Sequence, residues 1–193
     1  MVTVFIGALV WHSTRLGWVD AWALQALRAE TYSGFRVASA ISFSLRLLAI
    51  AAPPAIAAFA WFGSRRKDAV VLSLGAPAVT LAMERLLKLL VARRSPESGV
   101  FMYPSGHLAV AATLALTLVL VLRLARVRSG VMAVAVTSAS VALLAVAGAR
   151  LAEVAHFLSD VVGGIATGVA VTLAAALLLD ARPLSFLRDH QGR

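Results

Sequence analysis

Residues 104–122, PSGH followed by LAVAATLALTLVLVL, place a short polar turn directly before a long apolar run. A Pro followed by Ser and Gly indicates a turn that opens a helix, and the apolar run supplies that helix. Its N-terminus would offer unpaired N–H groups and a positive dipole end to a phosphate or another anion. His107 in the first turn adds a proton donor near neutral pH. The alternative is an ordinary N-cap with a histidine at lipid headgroup level, and these four residues alone do not decide between them.

The composition indicates a membrane protein. Of 193 residues, 61% are hydrophobic and 14% are charged, and the mean hydropathy is +0.89, which is too apolar for an ordinary soluble domain. Residues 1–193 show no repeat or break in composition, so we expect a single domain. The lack of cysteine excludes disulfides, thiolate metal sites and a cysteine nucleophile. The net charge of +9 lies mostly beside apolar runs, where it indicates topology and headgroup contacts rather than nucleic acid binding.

The apolar runs predict an all-α, polytopic membrane bundle of about six transmembrane helices, the first of them short. The predicted spans are residues 2–11, 41–62, 69–91, 105–122, 131–147 and 156–179. Pro53 and Pro54 predict a kink in the second span. Residues 18–28 predict an amphipathic helix at the membrane surface. Its apolar face would hold Val19, Trp22, Ala23, Ala26 and Leu27, with Asp20, Gln25 and Arg28 opposite.

Basic residues predict the orientation of the bundle. The loops at 65–67 and 123–128 and the tail with Arg182, Arg188 and Arg193 fall on one side by helix parity. Short basic loops stay in the cytoplasm, so we expect a cytoplasmic C-terminus. The membrane is expected to be a bacterial cell membrane. The 104–107 turn then lies on the extracytoplasmic face. This face also carries Lys88, Arg93, Arg94 and Arg150 against the usual bias, which indicates an anionic ligand.

Three separated segments meet on that face: Lys88-x4-Arg93-Arg94-Ser95-Pro96, the 104–107 turn, and Arg150-x5-His156-x3-Asp160. His156 and Asp160 are four residues apart and would share a helix face, so the carboxylate could reach one ring nitrogen. This arrangement is typical of a nucleophilic histidine held in one tautomer by an acid. Asp160 also lies in an apolar span, where an ionisable group is costly and usually functional. Its alternative role is that of a helix-dipole partner.

In these three segments the sequence resembles the phosphatidic acid phosphatase type 2 superfamily of membrane lipid phosphatases, which is related to vanadium haloperoxidases. The family pattern is Lys-x6-Arg-Pro, Pro-Ser-Gly-His and Ser-Arg-x5-His-x3-Asp, and the motifs cover about residues 81–164. The second motif matches in full. The third has Ala149 in place of Ser, and the first has Ser95 in place of Arg, with Arg93 and Arg94 just before it.

The resemblance implies a role for each matching residue. His156 would attack phosphorus to form a phosphohistidine, oriented by Asp160, while His107 would protonate the leaving oxygen and later activate water. One of Arg93 and Arg94, with Arg94 favoured, would replace the missing arginine. The phosphate oxygens would be held by Lys88, Arg150, Ser105 and the Gly106 amide. Cations and amides that stabilise the charge of a phosphoryl transition state suit this chemistry, and neither a metal nor another cofactor is expected.

The implied substrate is the phosphate monoester or diphosphate of a membrane lipid: a polyprenyl diphosphate, phosphatidic acid or phosphatidylglycerol phosphate. Two alternatives remain at this point. One is a haem-binding electron carrier with His107 and His156 as axial ligands, and the other is a family member that only binds lipid phosphate. A transporter is disfavoured, because its ionisable residues should lie near the bilayer midplane rather than at one face.

Several further residues have structural interpretations. Glu84 is expected to pair with Lys88 or Arg85 along the helix, and Arg46 is expected to extend its charge towards the membrane surface. A set of glycines in the last span is expected to allow close helix packing: Gly163, Gly164 and Gly168.

Overall fold

The computed structural model describes residues 17–28, 31–94 and 101–180. In this part of the chain the secondary structure is helical, and five helices are long and apolar enough to cross a membrane. The helices are α1 (Trp18–Leu27), α2 (Tyr32–Phe59), α3 (Lys67–Val91), α4 (Gly106–Leu124), α5 (Ser129–Ala152) and α6 (Leu158–Asp180). The predicted all-α membrane bundle is confirmed. The predicted short span at 2–11, Ser95, Pro96 and the tail arginines lie outside the described residues.

Some predicted helix boundaries are wrong, and local capping explains the largest error. α2 begins at Tyr32 rather than at residue 41, because the Thr31 hydroxyl accepts the Gly34 N–H at 3.1 Å and caps the helix. α2 continues through Pro53 and Pro54 and passes into a π-helical turn, Ala60–Ser64. At the other end of the chain, α5 extends to Ala152 and α6 begins only at Leu158.

The predicted surface helix is present as α1, but its faces differ from the prediction. Asp20, expected on the polar face, is buried together with Ala23. Trp18 and Trp22 on the other side are 84% and 63% exposed, which suits the membrane interface. Asp20 can face the protein because its carboxylate finds buried partners there, which belong to the site described below.

α4 lies at the centre of the bundle and packs against α2, α3, α5 and α6. Its closest approach is to α6, where Gly164 and Gly168 face the α4 backbone. A Cβ at position 164 would lie 2.4 Å from the carbonyl oxygen of Ser105, and one at position 168 would lie 2.2 Å from that of Ala109. The predicted small-residue packing is therefore confirmed, and it requires glycine at both positions.

The chain path gives the bundle two distinct ends. α1, residues 92–94 and 101–105, and the α5–α6 turn lie at one end, which we call the site end. The π-helical turn and the α4–α5 connection lie at the other end, where a second cavity of about 370 Å³ is lined by Arg66, Asp68, Arg123 and Asp180 among apolar residues. The connecting segments are thus grouped at the two ends in the way that helix parity predicted from the sequence.

Replacing Gly168 with Ala should destabilise the bundle, because the new methyl group would meet a backbone oxygen that cannot move independently of α4. We expect a loss of about 1–3 kcal/mol, the usual cost of overpacking, seen as a lower midpoint of thermal unfolding in detergent. Gly148→Ala is the matched control, since a Cβ there meets no atom within 4 Å in the described structure. Equal stability of the two variants would contradict the packing assignment.

Candidate active site

A cavity of about 620 Å³ opens at the site end between α2, α3, α4 and the α5–α6 turn. Its wall brings together predicted residues from all three motifs: Lys88, Gly106, His107, Arg150 and His156. Apolar side chains line the rest, among them Leu45, Ala49, Leu81 and Val110. The cavity thus combines a cationic, histidine-containing part with an apolar part, as a site for an amphipathic anion would.

The start of α4 forms one wall of the cavity. The Ser105 N–H donates to the Asp160 carbonyl oxygen at 3.0 Å and ties this helix end to α6. The Ser105 hydroxyl is buried, and no hydrogen-bond partner for it lies among the described residues. A Cβ on Gly106 would lie 2.8 Å from Glu84 Oε1, so a larger residue here would displace the Glu84 side chain. The first-turn amides of α4 have no acceptor within the helix, which suits an anion in the cavity.

The turn between α5 and α6 positions His156. Val154 has a φ of 53°, and such a left-handed conformation costs a β-branched residue about 1–3 kcal/mol. The Ala155 N–H donates to the Arg150 carbonyl oxygen at 3.2 Å and closes the turn. His156, nine-tenths buried, therefore precedes α6 and lines the cavity.

The relation between His156 and Asp160 differs from the prediction. His156 lies in the turn, so the two residues do not share a helix face. Asp160 Oδ2 accepts the Phe157 N–H at 2.9 Å, which stabilises the start of α6. The same oxygen lies 3.8 Å from His156 Nδ1, beyond hydrogen-bond distance. The carboxylate nevertheless lies beside the ring, with the Nδ1 edge towards it.

Burial lowers the pKa of His156 below its ordinary value near 6.5, and the negative charge of Asp160 only partly offsets this effect. Arg150 and Lys88 lower the pKa further. The neutral imidazole, which carries the lone pair that a nucleophile needs, is therefore favoured at neutral pH.

Two of the cavity cations, Lys88 and Arg150, each pair with a nearby carboxylate. Lys88 binds Glu84 one helical turn away, which confirms that predicted pair. Arg150 binds Glu153, which also accepts a hydrogen bond from Ser42 on α2 at 3.0 Å. Arg150 Nε is buried and has no hydrogen-bond partner in the described part of the chain. These carboxylates hold Lys88 and Arg150 at the cavity wall. The Nε–H of Arg150 can still donate to a ligand.

Arg46 was missed as a site residue. It was expected to extend towards the membrane surface, but it lines the cavity, with Nε 3.5 Å from His107 Nε2. The Arg46 side chain is exposed, as its expected extension towards the surface requires, and it also faces the start of α4. The available signal was an arginine inside an apolar span, a pattern that usually marks function.

The two arginines of the first motif have different environments. Arg93 is 1% exposed, and its guanidinium donates to Asp160 Oδ1 at 2.9 Å and to Asp20 Oδ2 at 3.0 Å. Arg94 is exposed and lies over the ring of Phe101, 4.6 Å from its centroid. Neither arginine lines the cavity, although Phe101 does. Within the described residues, no group of three or more His, Asp or Glu side chains is arranged to hold a metal ion.

Comparison with known proteins gives two findings. The family model of the PAP2 superfamily matches residues 91–183. The fold is similar to the crystal structure of the first transmembrane PAP2 type phosphatidylglycerolphosphate phosphatase from Bacillus subtilis, with a TM-score of 0.73 and 20% sequence identity. That match covers 95% of this chain and 94% of the other.

No curated protein sequence is significantly similar to the chain. The matched residues, 91–183, include the segments of the second and third motifs. Together with the shared fold, it confirms the predicted resemblance to the phosphatidic acid phosphatase type 2 superfamily.

Proposed function

We propose that this protein is an integral-membrane lipid phosphatase that hydrolyses a phosphate monoester or diphosphate through a phosphohistidine intermediate. The observation that carries the proposal is the cavity itself. It places His107 and His156, from distant parts of the sequence, beside Lys88 and Arg150 and next to an apolar wall. The family match and the fold of the Bacillus subtilis phosphatidylglycerolphosphate phosphatase support the same reaction class.

The first chemical step would be attack by His156 on phosphorus. Asp160 lies at the Nδ1 edge of the ring, so Nε2 is the nitrogen left for attack. The P–N bond forms as the bond from phosphorus to the leaving oxygen breaks, and His107 gives its proton to that oxygen. The leaving group is a lipid alcohol or, from a diphosphate, a lipid phosphate. Lys88, Arg150, the Ser105 hydroxyl and the Gly106 amide stabilise the charge on the remaining phosphoryl oxygens.

The second step would release phosphate. His107, now neutral, takes a proton from water, and the water oxygen attacks phosphorus as the P–N bond breaks. Inorganic phosphate leaves, and His156 returns to its neutral form. The lowered pKa of His156 favours this form.

The apolar wall suggests a lipid substrate. Leu45, Ala49, Leu81 and Val110 would contact the first part of an acyl or prenyl chain while the phosphate lies among the cations. The candidates are phosphatidylglycerol phosphate, phosphatidic acid and polyprenyl diphosphates. With the basic loops at the other end of the bundle in the cytoplasm, the cavity opens at the extracytoplasmic face.

The direct test is release of inorganic phosphate from these lipids by the purified protein in detergent. We expect release from at least one of them, and no visible absorption band from haem. Absence of release from the whole panel would contradict the proposed function. A Soret band would indicate the electron-carrier alternative.

His156→Ala should lower phosphate release by at least about 1,000-fold, because general acid–base help cannot replace a lost covalent step. His190→Ala, outside the three motifs, is the matched control and should keep wild-type activity. Both variants are compared by initial rates after their thermal unfolding has been checked. Near wild-type turnover by His156→Ala would show that another group is the nucleophile.

Phosphate release should be unchanged after treatment with EDTA, since lysine, arginine and backbone amides neutralise the phosphate. The measurement compares rates in EDTA, with and without subsequent magnesium. Loss of activity that magnesium restores would instead indicate a metal-dependent phosphatase.

Arg94 remains our candidate for the arginine that the first motif lacks, because its guanidinium lies beside a cavity residue while that of Arg93 binds two carboxylates. Arg94→Ala should lower kcat about tenfold if Arg94 contacts the transition state. A change confined to KM would indicate a headgroup contact only, and no change would remove Arg94 from the site.

A further inference from the structure

Arg93 joins three parts of the chain in a buried cluster. Its Nη1 donates to Asp160 Oδ1 at 2.9 Å and to Ser159 Oγ at 2.7 Å, and its Nη2 donates to Asp20 Oδ2 at 3.0 Å. The guanidinium also lies over the ring of Phe157. We call Arg93, Asp20, Asp160 and Ser159 the Arg93 cluster.

Asp20 is bound at both oxygens. Its Oδ1 accepts the Ser159 N–H at 2.9 Å, and its Oδ2 accepts the Ser159 hydroxyl at 2.8 Å in addition to the Arg93 contact. Asp20, on another helix, therefore caps the first turn of α6. Asp160 lies in the same turn, so Asp20 also fixes its position. Asp20 does not line the cavity.

The charge balance of the Arg93 cluster depends on Asp20. One guanidinium between two carboxylates leaves a net charge of −1 beside His156. Without Asp20, Arg93 and Asp160 would form a neutral pair, and the field of Asp160 at the imidazole would be largely cancelled. His156 gains positive charge as its other nitrogen binds phosphorus, so a negative neighbour lowers the energy of that step.

We propose that Asp20 is a positioning residue of the active site: it balances Arg93, so that the field of Asp160 at His156 is not cancelled and Asp160 keeps its place beside the ring. This inference rests on the proposed function. It also gives α1 a role in catalysis, because the helix that exposes Trp18 and Trp22 to the membrane interface supplies the second carboxylate.

The test is Asp20→Asn, which keeps the size of the side chain and removes its charge. We expect kcat to fall about tenfold, with KM within twofold of wild type, because Asp20 does not contact the cavity. Asp68→Asn is the matched control, since Asp68 is an exposed carboxylate at the other end of the bundle, paired with Arg66 at 4.0 Å. It should keep wild-type kcat and KM.

The pH profile separates an electrostatic role from a structural one. Removing a negative charge disfavours the protonated imidazole, so the acid limb of kcat/KM should move to lower pH in Asp20→Asn relative to wild type. The groups facing His156 that are unchanged between the two proteins are Asp160, Arg150, Lys88 and His107. The substrate also titrates identically in both assays, so the difference isolates Asp20.

An unchanged kcat, a loss carried by KM, or an unmoved acid limb would overturn the inference. If Asp20→Asn does not fold, as judged by thermal unfolding, the same criterion for kcat and KM applies to Ser159→Ala, which removes two hydrogen bonds of the cluster and no charge. For Ser159→Ala we expect kcat to fall a few-fold, and a wild-type kcat would overturn the inference. Wild-type protein that releases no phosphate refutes the proposed function instead, so the two failures are distinguishable.

Discussion

Because Gly164 and Gly168 have no side chains, the backbones of α4 and α6 lie in direct contact at the centre of the bundle. This contact fixes how far one helix can slide along the other. It brings the first residues of both helices to the same level, where the Ser105 amide reaches the Asp160 carbonyl oxygen at 3.0 Å. The remaining helices contribute further side chains to a site whose position is set by these two backbones.

The site end buries ionic groups between helices that are mostly apolar, and burying a charge without a partner costs several kcal/mol. The described structure meets this cost by pairing: Lys88 with Glu84, and Arg150 with Glu153. A phosphate that binds these cations would therefore compete with the two carboxylates as well as with water. The strength of binding then depends on how far Glu84 and Glu153 retain their contacts.

The sequence predicts those features that repeat along one helix. Long apolar runs predicted the membrane spans, and the spacing of Gly164 and Gly168 predicted the close packing. Both patterns follow the period of an α-helix. Contacts between distant segments have no such pattern. Neither the burial of Asp20 against Arg93 nor the turn of Arg46 towards His107 could be found from spacing, because each depends on how separate helices meet.

The left-handed conformation at Val154 gives the third motif a geometric meaning. Arg150 lies in the last turn of α5, and the chain reverses direction within the few residues between Arg150 and His156. The number of residues between them is therefore a physical length, matched to the width of the gap between two fixed helix ends. An insertion or deletion would therefore move the histidine off the cavity wall even with every side chain retained.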